Sequence, residues 1–197
     1  MPNHCTHRLV VDGPPADIAD LVMLMQGESC FDFNKLIPCP EELKNTKSPA
    51  DPGPETDRLK AKHGHADWYS WNIANWGTKW NAYSIEDKPL RRGQGSPLEE
   101  LAEAHSESTT REIEYSFDTA WSPPMPILNA LVQRFPTCTF TWYGIEESLL
   151  WGALITWVGG EQAEGGFEEG DEDRIWGMSP WHERMRGDDE VYEDYEE

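Results

Sequence analysis

Residues 111–158 read REIEYSFDTAWSPPMPILNALVQRFPTCTFTWYGIEESLLWGALITWV. In Arg111–Asp118, Ile113, Tyr115 and Phe117 alternate with Glu112, Glu114 and Ser116, the period-two pattern of a half-buried strand. Ser122-Pro123-Pro124 breaks the chain, and Ile127, Leu128, Leu131, Val132 and Phe135 then mark one face of a helix. Thr137–Tyr143 and Leu150–Val158 read as two further strands, joined by an acidic turn at Glu146-Glu147. That turn is too short for a crossover helix, so the last two strands are antiparallel neighbours. This excludes a doubly wound parallel sheet.

Working outward, His7–Asp12 predicts a short strand and Gly13-Pro14-Pro15 a turn. Ile18, Leu21, Val22 and Met25 fall at helical spacing, and Gly27 ends that helix. Phe31–Cys39 alternates weakly, as a strand does, and stops at Pro38 and Pro40. Residues 44–65, rich in Lys, Pro, Asp and Gly, read as an exposed loop or insertion, while residues 98–107 have a helix-forming composition. Strand, helix, strand-like segments, then strand, helix, strand, strand fits an α+β class. The expected architecture is a ferredoxin-like antiparallel sheet with helices on one face, over residues 1–160.

Charge divides the chain. It holds 37 acidic and 16 basic residues, a formal net of −21. Residues 161–197 alone contain 15 acids against three arginines. Such a surface repels nucleic acid and anionic membranes and attracts basic partners. The C-terminal segment also carries aromatic side chains, which a purely solvating tail does not need. Candidate partner-binding residues are the acids Glu168, Glu169, Asp171, Glu172 and Asp173, with Trp176 and Trp181. Asp188, Asp189, Glu190, Tyr192, Glu193 and Asp194 continue the set.

Residues 68–83, WYSWNIANWGTKWNAY, hold four tryptophans and two tyrosines. Most of these rings suit a core; the alternative is an aromatic shelf for a base or sugar, with Asn72 among its polar groups. That alternative ligand site comprises Asn75, Trp76, Lys79, Trp80, Asp118 and Trp121. Lys79 and Asp118 are equally suited to a structural ion pair. The clusters His4-x-x-His7 with Cys5, and His63-x-His65, lack a second ligand pair at a familiar spacing, so no metal and no cofactor are expected. No catalytic triad, phosphate loop or dinucleotide fingerprint occurs, which places catalysis behind binding. Cys5, Cys30, Cys39 and Cys138 form no C-x-x-C pair and are expected to be free thiols. No stretch reaches about 18 apolar residues and the opening segment has no apolar signal core, so a cytoplasmic location is expected.

Four strings carry a family resemblance: Met1-Pro2-Asn3, Asp32-Phe33-Asn34-Lys35-Leu36-Ile37-Pro38, Asn75-Trp76-Gly77-Thr78-Lys79-Trp80-Asn81-Ala82, and Phe117-Asp118-Thr119-Ala120-Trp121-Ser122-Pro123-Pro124. With them the chain resembles the small proteins typified by plasmid YubB and related phage proteins, over roughly residues 1–160. The resemblance implies a ferredoxin-like domain and a mobile-element origin, and carries no catalytic residues. Together with the charge, it leads to the expectation of an acidic, non-enzymatic interaction protein that mimics DNA toward a basic host protein. The target class is a nucleic-acid-binding defence complex, making the chain an anti-CRISPR or anti-restriction inhibitor. The alternative is a small-ligand or nucleotide-binding domain centred on NWGTKW and FDTAW.

Overall fold

The computed structural model describes residues 3–85, 110–148 and 152–163. Among the described residues five strands form one antiparallel sheet: β1 (His4–Gly13), β2 (Arg111–Ala120), β3 (Thr139–Glu146), β4 (Gly152–Val158) and β5 (Glu161–Gln162), in the spatial order β2-β1-β3-β4-β5. Among the described residues the helices are α1 (Pro15–Met25), α2 (Phe33–Leu36), α3 (Glu41–Lys44), α4 (Pro54–His63), α5 (Trp68–Trp76) and α6 (Met125–Arg134).

β1 lies between β2 and β3 and is antiparallel to both, so β2-α6-β3 is a split βαβ unit with the first strand of the chain in its gap. β3 pairs antiparallel with β4, and Gly159 and Gly160, at φ 64° and 83°, make the tight turn into β5. The α+β class and the ferredoxin-like sheet expected from the sequence are both present.

Register decides what the sheet buries. Cys5, His7, Leu9 and Val11 of β1 pair with Thr119, Phe117, Tyr115 and Ile113 of β2, and all face the helices. Phe140 and Trp142 of β3 and Trp157 of β4 continue that face. Against it pack Ile18, Leu21, Val22 and Met25 of α1 and Ile127, Leu128, Leu131 and Val132 of α6. These are the helix faces the spacing predicts. Each such side chain contributes about 1.5–3 kcal/mol on burial.

Two segments depart from the sequence expectation. Phe31–Cys39 is not strand-like: Asp32 caps a single helical turn, its carboxylate accepting from the Asn34 N–H at 2.9 Å. Phe31 and Phe33 are both buried against Phe117, and this shared burial imitates strand alternation. Residues 44–65 are not all loop, since they contain α4. Pro54 stands at its start, Glu55 and Asp57 in its first turn, Lys60, Lys62 and His63 in its last, and Gly64 caps it at φ 77°. With only Leu59 buried, α4 lacks the apolar stripe that announces a helix. The helix expected at 98–107 lies outside the described residues. Among the described residues no helix is long and apolar enough to cross a membrane.

Candidate functional site

WYSWNIANW folds as α5. The Asp67 carboxylate accepts from the Ser70 N–H at 2.9 Å at its start, and Gly77, at φ 82°, ends it. A side chain at Gly77 would also meet Pro126 Cδ at 2.8 Å, so this turn takes only glycine. Trp71 and Trp76 are buried in the core, whereas Ile73 is exposed.

The next residues are sewn to the end of β2. Thr78 Oγ1 donates to the Ala120 carbonyl at 2.9 Å and accepts the Ala120 N–H at 3.2 Å. Ser122 Oγ donates to the Gly77 carbonyl at 2.6 Å. Trp76 Nε1 donates to the Ile37 carbonyl at 2.8 Å. Asn81 accepts the Phe33 N–H at 2.9 Å and donates to Asp32 at 2.7 Å. Three of the strings that carry the family resemblance, DFNKLIP, NWGTKWNA and FDTAWSPP, therefore meet in one clasp.

This clasp fixes an aromatic surface. β2 stops at Ala120, and Trp121 turns outward at φ 72°, its N–H donating to the Asn3 carbonyl at 2.9 Å. A bulky residue in that conformation is strained and is held there by its surroundings. Lys79 Nζ sits over the Trp80 ring at 4.5 Å and over the Trp121 ring at 4.7 Å. Tyr69 meets Trp121 edge-on, and Tyr83 meets Trp80 in the same way. Tyr83 Oη donates to the Thr119 carbonyl at 3.0 Å and lies 2.7 Å from His4 Nδ1. A carbonyl only accepts, so the phenol proton goes to Thr119 and His4 Nδ1 carries the hydrogen of the second bond. Burial, then the charge of Asp118, pushes the Tyr83 phenol pKa up.

The structure brings together half of the alternative ligand site. Lys79, Trp80 and Trp121 converge, and both indoles remain part-exposed. Trp76 is in the core, and Asn75 Nδ2 donates to the Trp71 carbonyl of its own helix at 2.9 Å. Asp118 is buried and accepts from Thr6 Oγ1 at 2.9 Å. Asn72 Nδ2 donates to the Lys79 carbonyl at 2.9 Å and so shapes the turn. Sequence reasoning missed Tyr69, Tyr83 and His4 as neighbours of this surface. Tyr69 and Tyr83 lie in the aromatic run, which was the available signal for them, whereas His4, 79 positions from Tyr83, had none. The acidic partner-binding candidates from Glu168 to Asp194 lie outside the described residues.

Burial holds His7 as the neutral ring and Cys5 as the thiol. Desolvation lowers the His7 pKa to about 3, and its Nε2 lies 2.7 Å from Thr119 Oγ1 between the rings of Phe117 and Trp142. Burial, with Glu146 next, pushes the Cys5 thiol up to about 12, which disfavours the thiolate a nucleophile needs. The cysteines are all free. Among the described residues no three His, Cys, Asp or Glu side chains are grouped to hold a metal ion.

A split βαβ sheet with helices packed against it defines a ferredoxin-like domain, and here that domain carries an aromatic surface at the end of β2. Residues 101–185 match a family model described as the ferredoxin-like domain in Api92-like protein. The solved structure of a protein Api92 from Yersinia pseudotuberculosis shares the fold, with a TM-score of 0.51 and 10% identity, over 86% of this chain and 99% of that one. No curated protein matches the chain.

Proposed function

We propose that this protein is a non-enzymatic, acidic interaction module that docks on a basic, nucleic-acid-binding surface of a host protein by phosphate mimicry. The observation that supports it is the distribution of charge. The described residues hold 17 acids and 10 bases, and the other residues hold 20 acids and six bases. Within the described part many acids are already engaged. Glu42 pairs with Lys62, Arg58 and His63, and Glu114 with Arg8. Residues 161–197 hold 15 of the 37 acids against three arginines, a composition that suits a partner's Lys and Arg. A mobile-element origin, which the YubB-like strings suggest, would make the target a host defence complex and the protein its inhibitor.

A second reading, a nucleotide or small-ligand site, is favoured by the convergence of Lys79, Trp80 and Trp121. The net charge of −21 weighs against an anionic ligand there.

The test is affinity capture with the full chain and with a variant whose acids in residues 161–197 are changed to Asn and Gln. The expected result is a basic, nucleic-acid-binding protein recovered by the first and not the second, released by salt, and displaced from duplex DNA by the full chain. Capture indifferent to those charges, or a partner that binds DNA unhindered, overturns the proposal.

A further inference from the structure

Two indoles share one ammonium. Lys79 Nζ lies within 5 Å of the centres of both the Trp80 and Trp121 rings, and these rings are 37% and 42% exposed. Aromatic faces carry negative potential, and converging rings are how proteins hold cationic groups. The cleft is built rather than incidental: Trp121 is kept at φ 72°, and Thr78 ties the Lys79 turn to the end of β2. Among the described residues no carboxylate pairs with Lys79, so the ring faces are what hold its ammonium. Exposed contacts of this kind are individually weak. A chain of net charge −21 draws cations to its surface.

We propose that Trp80 and Trp121 form a binding cleft for a lysine or arginine side chain of the basic partner, and that Lys79 is the internal occupant such a side chain displaces. The seated Lys79 shows that the cleft fits an ammonium. Its displacement costs two weak contacts, which the incoming cation remakes. For its partner the inference rests on the acidic-module reading; the chemistry of the cleft is tested without any partner.

The full chain is titrated with tetramethylammonium chloride against matched potassium chloride, following the indole Nε1–H resonances assigned with Trp80→Phe and Trp121→Phe. Both resonances shift in the wild type, and Lys79→Ala binds about threefold tighter or better, because the internal competitor is gone. Lys79→Met removes the charge but keeps a chain over the rings, and gains clearly less than Lys79→Ala. Equal gains in the two variants would trace the effect to charge alone and overturn the proposal. So would no gain, or shifts at neither indole. Adenosine monophosphate moving the same two resonances in a Lys79-dependent way would overturn it in favour of an anion site. A failed titration leaves the capture result intact, and a failed capture leaves the titration intact, so the two failures are distinguishable.

Discussion

Thr78 and Ala120 exchange hydrogen bonds in both directions, the threonine hydroxyl donating to the carbonyl at 2.9 Å and accepting the N–H at 3.2 Å. Both residues are fully buried, and 42 positions of chain separate them. Thr78→Val keeps the shape and removes the hydroxyl, leaving two backbone groups short of a partner. Urea unfolding should show a loss of about 1–3 kcal/mol, with Thr78→Ser retaining most of the stability.

Asn81 holds the other side of the same clasp. Its side chain accepts from Phe33 and Ala82 and donates to Asp32, which is itself buried. Asn81→Ala should cost about 2–3 kcal/mol in the same measurement, because the α2 cap and the turn after α5 lose a common partner. An effect below about 0.5 kcal/mol, the level of ordinary surface changes, would show that the clasp does not hold these segments.

Gly144 occupies the one place in β3 where Trp142 folds back over the strand. A side chain there would meet Trp142 Cη2 at 2.8 Å and His7 Nδ1 at 3.0 Å, both in the packed interior. Gly144→Ala should lower stability by about 1–3 kcal/mol through overpacking, read as a lower thermal midpoint. The aromatic near-ultraviolet signal should change with it, since the Trp142 ring must move.

His7 makes folding pH-dependent. Burial lowers its pKa to about 3 from an ordinary value near 6.5, so between those values the unfolded chain binds a proton that the folded chain refuses. The stabilising contribution of the neutral ring is therefore complete above about pH 6.5 and is lost as pH falls toward 3. Its slope is at most about 1.4 kcal/mol per pH unit. His7→Gln removes this titration, so its stability should fall less steeply than that of the wild type between about pH 6 and 4. Parallel curves for the two proteins would contradict a neutral buried His7.

The sheet was legible where burial is one-sided. In β2 and β3, Ile113, Tyr115, Phe117, Phe140 and Trp142 face the helices, and their period of two stands out in the sequence. α1 and α6 were legible for the same reason at a period near four. α4 was not, because one buried leucine makes no stripe and its evidence lies in caps and end charges. Half of the aromatic site was legible from composition. Asn75 and Trp76 share its string, yet α5 turns them to backbone bonds instead.

The amino-acid sequence by itself determined the one-sided strands, the faces of α1 and α6, the strand-turn-strand pair that rules out a parallel sheet, and a net charge of −21. These depend on neighbours a few residues apart or on composition. Only the tertiary structure decided that β1 fills the gap between β2 and β3, that DFNKLIP, NWGTKWNA and FDTAWSPP lock together, and that Trp121 joins Trp80 around Lys79. Those relationships are set by pairing register and by the joint burial of side chains distant in the chain. No local pattern encodes such long-range closures, since each becomes favourable only when the whole core forms.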